Sequence, residues 1–139
     1  MSAAQNDTVY PNPEVLGGLI CYVQLDGASK AAEFYTQAFA AKEVFRYPVD
    51  ESGRTMHIHL HINGSSLMLS DSYPEHGHPA ETPQAFNLTL QVKDIDKWWQ
   101  RALDAGATIV LPLQEMFWGA RYGQLRDPFG VLWSMNEPK

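Results

Sequence analysis

Three histidines, His57, His59 and His61, alternate with apolar residues along one short segment of the chain. Residues two apart on a β-strand leave the same face about 6–7 Å apart, so a strand here would present three imidazoles side by side. Imidazole binds divalent metals, and its titration near neutrality also suits it to general-base catalysis. The same pattern is compatible with polar residues that line a binding cavity or meet solvent.

The neighbouring residues indicate the strand that this arrangement requires. Residues 56–62 alternate between apolar and polar, and Asn63-Gly64 separates them from a second strand-like run, residues 66–71. Asn-Gly between two such runs is the typical signal of a β-hairpin. The one acid in this hairpin, Asp71, lies at its far end, which weighs against a metal site at the histidines.

The two halves of the chain share one pattern, in which a strand is followed by an amphipathic helix and then by three more strands. The predicted first strands are residues 19–25 and 86–92, about 67 residues apart, and the helix of the second half spans residues 95–105 with Asp94 as its N-cap. The remaining strands are predicted at residues 42–47, 56–62, 66–71, 108–113, 120–126 and 131–136. The sequence therefore predicts an α+β fold built from two tandem βαβββ modules.

Several residues that could suggest chemistry are interpreted as structural. Trp98 and Trp99 recur at helical spacing among apolar neighbours, which is typical of core residues. Cys21 is predicted on the helix-facing side of its strand, as a small core residue. The string Asp127-Pro128-Phe129-Gly130 predicts a tight turn.

Composition limits the function classes. The chain has 139 residues, a net charge of −6 and one cysteine. A negative net charge disfavours nucleic acid as a partner, and no apolar run is long enough to predict a membrane span. The single cysteine and the absence of a predicted signal peptide favour a cytoplasmic location.

Residues 1–14 are predicted to form a flexible N-terminal arm, and residues 15–139 a single domain. Within that domain, module one is predicted at 17–72, the linker at 73–84 and module two at 85–137.

Five segments, in order and in register with the repeat, resemble the vicinal oxygen chelate superfamily, which includes glyoxalase I, extradiol dioxygenases and bleomycin-resistance proteins. Four of them are Ala32-Glu33-Phe34-Tyr35, Leu67-Met68-Leu69-Ser70-Asp71, Val92-Lys93-Asp94-Ile95-Asp96 and Asp127-Pro128-Phe129-Gly130-Val131-Leu132-Trp133. The fifth, Trp118-Gly119-Ala120-Arg121-Tyr122-Gly123, is similar to the PhnB-like branch. The resemblance implies a half-open curved sheet, a binding site on its concave face and a homodimer.

The resemblance also implies a divalent metal held by His and Glu side chains from the first and last strand of each module. Matched residue by residue, those positions fall at Ile20, Met68, Asn87 and Ser134. None of the four carries a carboxylate, imidazole or thiolate, and an amide with a hydroxyl would hold such an ion poorly. The sequence therefore predicts no metal at the inherited position and no cofactor.

Strand alternation and the closing strands predict the ligand-binding residues. These are Tyr22, Gln24, His57, His59, Asn87, Thr89, Gln91 and Ser134 on the cavity side, with Trp118, Arg121 and Tyr122 approaching from the second module. Such a cleft suits a flat or polar small molecule. Arg121 is a candidate for binding an anion, and its alternative role is a surface ion pair.

The predicted function is small-molecule binding without the usual metal, with the ligand unidentified and turnover left open. One alternative is a metal-dependent lyase, isomerase or dioxygenase with its metal moved to His57, His59 and His61. Another is a metal-free enzyme with His57 or His59 as general base.

Overall fold

The computed structural model describes residues 13–139, so the predicted arm lies outside the described residues except for Pro13 and Glu14. The first module contains β1 (Cys21–Leu25), α1 (Ala28–Phe39), β2 (Lys42–Arg46), β3 (Ile58–Ile62) and β4 (Ser65–Asp71). The second contains β5 (Leu88–Gln91), α2 (Ile95–Ala105), β6 (Thr108–Glu115), β7 (Arg121–Arg126) and β8 (Leu132–Glu137).

The two modules have the same topology. Their strand orders are β1-β4-β3-β2 and β5-β8-β7-β6. In each sheet the first and last strands pair in parallel, and the other pairs are antiparallel. The prediction of an α+β fold with two tandem βαβββ modules is confirmed.

Helix α1 starts against a carboxylate from β4. Gly27 adopts φ 90°, a conformation open to glycine, and the Gly27 and Ala28 amides donate to Asp71 Oδ1 at 3.0 and 2.9 Å. The Thr55 amide donates to the other carboxylate oxygen at 2.8 Å. Because Asp71 is buried and engaged in this way, the one acid of the histidine hairpin is a structural residue.

Helix α2 begins after Asp94, as predicted, but not by the predicted mechanism. Asp94 lies at the N-cap position with φ 49°, and its side chain makes no capping hydrogen bond. The Asp94 amide instead donates to Glu137 Oε2 at 3.0 Å. Both predicted core tryptophans of α2 contribute to packing, Trp99 buried and Trp98 partly buried.

One core extends across both modules. Trp133 of β8 lies 4.3 Å from Phe39 and 5.2 Å from Tyr35 between ring centroids, so the second sheet packs against α1. Asp127, 4% exposed, accepts hydrogen bonds from the Tyr35 hydroxyl and the Trp133 indole, and from the Phe129 and Val131 amides. The turn that Asp127 begins is therefore structural, as the sequence predicted.

Three strands, β1, β3 and β5, each begin two residues later than predicted. Leu19 is 98% exposed, and β1 starts only at Cys21. The Ser66 amide, which a longer β1 would engage, donates instead to Leu16 O at 3.0 Å, after which the chain bends. Met56, the first residue of the predicted strand 56–62, is 58% exposed, and β3 starts at Ile58.

The segment predicted as a linker is attached to the first module. It contains one turn of 3-10 helix, Pro74–His76, and Tyr73 forms an isolated bridge with His78. The Arg54 guanidinium lies 4.3 Å from the centre of the Tyr73 ring. In residues 13–139, neither helix is long and apolar enough to cross a membrane.

Candidate functional site

Strand register places the predicted polar residues on the face of each sheet that points away from the helices, here called the helix-distal face. In the first sheet, Tyr22 lies opposite Met68 and Met68 opposite His59, so these side chains share that face. In the second sheet, Thr89 lies opposite Ser134, and Ser134 opposite Gln124. The side assignments made from alternation hold for both sheets, since Val23, Leu25, Leu90 and Met135 are buried on the opposite faces.

Each of the three histidines uses one ring nitrogen in a hydrogen bond. His57 Nδ1 lies 3.0 Å from the Tyr22 hydroxyl, His59 Nε2 lies 2.7 Å from Ser66 Oγ, and His61 Nε2 lies 2.7 Å from Glu14 O. Burial lowers the pKa of His57, and burial together with the neighbouring His61 and His57 lowers the pKa of His59. The neutral imidazoles of His57 and His59 are thus favoured as hydrogen-bonding groups.

No group of three or more His, Cys, Asp or Glu side chains is placed to hold a metal ion within residues 13–139. The four positions implied by the resemblance, Ile20, Met68, Asn87 and Ser134, offer one amide, one hydroxyl and one thioether. This donor set does not fit a hard or borderline divalent cation, which prefers carboxylate, imidazole or thiolate ligands.

A cleft of about 670 Å³ lies between the two sheets, and is called the inter-sheet cleft. It is lined by Leu19, Cys21, Ile62, Asn63, Ser65, Ser66 and Leu67 from the first module and by Asn87, Leu88, Thr89, Leu90, Gln91 and Trp133 from the second. Burial raises the pKa of the Cys21 thiol, which favours the protonated and less nucleophilic form.

A cluster of three side chains fixes one polar group of the inter-sheet cleft. Thr89 Oγ1 and Ser134 Oγ donate to Asn87 Oδ1 at 2.6 and 2.9 Å, and the two hydroxyl oxygens lie 2.8 Å apart. The amide oxygen is therefore fully used, whereas the Asn87 NH₂ group has no acceptor within the described chain. The cluster holds an oriented pair of donors at the cleft.

A second cleft of about 340 Å³, called the linker cleft, lies where the segment after Tyr73 passes β1. Tyr22 and Gln24 line it on one side, and His78, Glu81 and Phe86 on the other. Sequence analysis missed these last three, because a segment without periodicity carries no signal of where it folds back.

The structure therefore divides the predicted site residues instead of joining them. Asn87, Thr89 and Gln91 line the inter-sheet cleft, with Ser134 bonded to Asn87, while Tyr22 and Gln24 line the linker cleft. His57 reaches the linker cleft only through its contact with Tyr22. His59 is 2% exposed and lines neither cleft.

The prediction that Arg121 approaches the cavity is wrong. Arg121 pairs with Glu137 in register and shares the helix-facing side of β7 with Gly123 and Leu125. Its guanidinium forms a two-pronged ion pair with Asp96 of α2, at 2.7 and 3.0 Å. This is the surface pairing that the sequence left open as its alternative role.

Trp118 lies in the turn between β6 and β7 and is half-exposed. Its ring contacts Phe117 edge to face at a centroid distance of 4.8 Å and lies 6.2 Å from Tyr122. Trp118 therefore belongs to an aromatic group at the hairpin tip, and it lines neither cleft.

Comparison with known proteins agrees with the fold. Residues 21–135 match the Glyoxalase/Bleomycin resistance protein/Dioxygenase superfamily. The protein Rv0887c of Mycobacterium tuberculosis (strain H37Rv) is 41% identical over 96% of this chain and 81% of its own length. TioX from Micromonospora sp. ML1 has a TM-score of 0.71 at 25% identity, covering 88% of this chain and 99% of TioX. A PhnB protein from Bacillus cereus has a TM-score of 0.69 at 24% identity, covering 87% and 99% of the two chains. The chain belongs to the glyoxalase/bleomycin resistance protein/dioxygenase superfamily.

Proposed function

We propose that the protein binds a polar small molecule in the inter-sheet cleft and does so without a metal at the inherited position. The observation that carries this proposal is the cluster of Asn87, Thr89 and Ser134. Two hydroxyls occupy the amide oxygen of Asn87, so the amide presents its NH₂ donors in a fixed orientation. Fixed donors in a concave site give a ligand its orientation at little entropic cost.

The surroundings of the cluster define the class of ligand. Polar groups of Ser66 and Gln91 and apolar groups of Leu67, Leu88 and Trp133 line the same cleft. A ligand that fits has acceptor oxygens or nitrogens on one edge and a flat or apolar body on the other. The cleft is about as large as typical small-molecule sites, which measure roughly 300–1,000 Å³.

The chemistry of the donor set supports binding at this position over metal-assisted catalysis. At the inherited metal positions, Asn87 and Ser134 are hydrogen-bonded to each other, and Ile20 and Met68 are apolar. Each of the three histidines of the first sheet uses one ring nitrogen in a hydrogen bond to another residue. No nucleophile with a paired base lies in the described part of the inter-sheet cleft, since Cys21 has no histidine beside it in the lining.

A thermal-shift screen with neutral, cationic and anionic aromatic compounds tests the proposal, because a ligand that binds the native state raises the melting temperature. For a compound that binds, Thr89→Val is expected to weaken affinity about tenfold, since Asn87 loses one of its two orienting donors. Thr108→Val, at an exposed threonine of β6, is the matched control and is expected to leave affinity unchanged. Equal affinity in the wild type and Thr89→Val would place the ligand elsewhere.

Metal analysis provides an independent check. Protein purified without a polyhistidine tag is expected to contain metal far below stoichiometry, and a His57→Ala/His59→Ala variant is expected to contain the same amount. Near-stoichiometric metal that the double variant loses would overturn the proposal and support a relocated catalytic centre.

We further propose that the protein forms a homodimer. Strands β1 and β5 are edge strands in their sheets, and Leu19, which lines the inter-sheet cleft, is 98% exposed. Open strand edges beside exposed apolar residues are surfaces that proteins usually cover. A second copy seated there would shield Leu19 and narrow the mouth of the cleft.

A further inference from the structure

Three cations on α2 and the turn before it have no acidic partner among the described residues. Lys97 and Arg101 are four residues apart on α2 and therefore lie on one face of the helix, and Lys93, which precedes the helix, lines the same cleft. The ion pairs of the described chain join Arg46, Arg54 and Arg121 to acids and include none of these three. This cationic stripe is unusual in a protein with a net charge of −6.

Arg101 is held in place but incompletely satisfied. Its Nε donates to Ala38 O of α1 at 3.1 Å, and its Cζ lies 4.4 Å from the centre of the Trp98 ring. Its Nη2 is buried and has no acceptor in the part of the chain that the structure describes. A ligand cannot reach the buried Nη2, but Nη1 is neither buried nor bonded to a described residue, so Nη1 is the donor that Arg101 can offer to an anion.

Two open clefts meet at this stripe. One, of about 460 Å³, is lined by Gln37, Lys97, Gln100, Arg101, Asp104 and Ala105. The other, of about 570 Å³, is lined by Asn63, Gln91, Val92, Lys93, Asp94, Lys97, Trp98, Arg101 and Pro138. Because both share Lys97 and Arg101, they form one continuous surface, here called the α2 groove.

Two acids also line the α2 groove, and neither forms an ion pair with its cations. Asp104 Oδ1 accepts a hydrogen bond from Gln100 at 2.9 Å, and neither Asp104 nor Asp94 forms an ion pair with the stripe. The groove thus combines three cations and two carboxylates with the half-buried ring of Trp98, and cations are in excess.

We propose that the α2 groove binds a small organic anion, a phosphate monoester or a carboxylate joined to a flat apolar body. Arg101 offers Nη1 to one oxygen of the anion, and the lysines add charge. Trp98 provides apolar area for the body of the ligand. This site is distinct from the inter-sheet cleft, with which it shares only Asn63 and Gln91 at its margin.

Isothermal titration with phenyl phosphate, benzoate and the uncharged benzyl alcohol tests the proposal. At least one of the two anions is expected to bind saturably, more weakly as salt is raised, while benzyl alcohol gives no saturable binding. The tighter of the two anions identifies the head group. The absence of saturable binding by both anions, or equal binding of benzyl alcohol, would overturn the proposal.

Variants locate the binding. Lys97→Gln and Arg101→Gln are each expected to weaken the anion about tenfold, as is usual for the loss of one charge-assisted contact. Lys97 is exposed, so its substitution tests the site even if Arg101→Gln is unstable. Lys30→Gln, an exposed lysine of α1, is the matched control, and Thr89→Val, which weakens the inter-sheet cleft, is expected to leave anion binding intact. Unchanged affinity in Lys97→Gln would show that the anion binds elsewhere.

Discussion

Asp127 shows how much of this fold depends on single buried polar residues. Its two carboxylate oxygens accept four hydrogen bonds, one of them from the Tyr35 hydroxyl at 2.6 Å. Burial and the adjacent carboxylate raise the pKa of Tyr35 well above its usual range, so the phenol stays a donor. The phenol of Tyr35 and the carboxylate of Asp127 are thereby matched as donor and acceptor.

Asp127→Asn is expected to lower the free energy of unfolding by about 3 kcal/mol, because an amide NH₂ would face donors that need an acceptor. Chemical denaturation monitored by tryptophan fluorescence measures the change. Asp26→Asn, at an exposed residue, is the matched control. A loss below about 1 kcal/mol would show that the four bonds contribute little net stability.

His59 makes stability depend on pH. Its pKa is lowered in the folded state, so the unfolded chain takes up the proton first as pH falls. Stability is therefore present above the ordinary histidine pKa of about 6.5 and is lost as pH falls below it. We expect the variant His59→Gln to lose less stability than the wild type between pH 7 and pH 5. Glutamine can still hydrogen-bond to Ser66, but it does not titrate.

Equilibrium unfolding at a series of pH values measures that dependence, with His76→Gln on the exposed 3-10 turn as the control. If His59→Gln lost stability on acidification as steeply as the wild type, His59 would not be the residue responsible. Protonation of carboxylates also destabilises the native fold at lower pH. The wild type and His59→Gln should therefore be compared above pH 5.

The position of a site residue was predictable where strand alternation determined it. It was not predictable where contacts between different elements determined it. Alternation placed Tyr22 and His57 on one face, where they contact each other, and Asn87 on the face of Ser134, to which it is hydrogen-bonded. Alternation gave no information on Arg121, because the side of β7 on which Arg121 lies depends on where the strand starts. The role of Arg121 depends on its ion pair with Asp96, which belongs to a different element.

At the scale of elements, the starts of the two helices differ in what stabilises them. The sequence predicted a local cap at Asp94, since Asp just before a helix is the usual signal. The structure shows that Asp71, distant in sequence but adjacent through β4, supplies the carboxylate at α1, while Asp94 supplies none at α2. Capping from another element leaves no local sequence pattern.

Two substitutions distinguish these roles. Asp71→Asn is expected to cost about 2–3 kcal/mol, because three backbone donors then share one oxygen in place of a carboxylate. Asp94→Asn is expected to change stability by less than about 0.5 kcal/mol, because asparagine tolerates the left-handed conformation and no cap is lost. Comparable losses in thermal or chemical unfolding would contradict this assignment.

Element existence and order were predictable because hydrophobic periodicity is a local property. Both helices and all eight strands were expected from the repeat, and the Asn63-Gly64 hairpin has the predicted form. The errors lie at the ends of strands: β1, β3 and β5 are shorter than predicted, and β6 is longer. Each such end is decided by a tertiary partner, as when Leu16 takes the Ser66 amide.

At the scale of the molecule, the candidate sites lie where the modules meet. Asn63 of the first module donates to Gln91 O at 2.8 Å, and both residues line the inter-sheet cleft. The sequence predicted a cavity within a shared curved sheet but gave no information on the separation of β1 from β5. That separation depends on the packing of α1 against Trp133, a long-range contact without sequence signature.

The separation of β1 from β5 also bears on the oligomeric state of the protein. Light scattering coupled to size exclusion is expected to give twice the 15.6 kDa of one chain, because two edge strands and Leu19 otherwise remain open to water. Leu19→Asp is expected to shift the protein to the monomer, since a buried unpaired carboxylate at the interface costs several kcal/mol. Val49→Asp, at an exposed valine after β2, is the matched control and should remain dimeric. A monomeric wild type would show that no second copy covers this edge. So would a Leu19→Asp variant that remains as dimeric as the wild type when it is diluted. In either case the inter-sheet cleft of a single chain would be open to ligands.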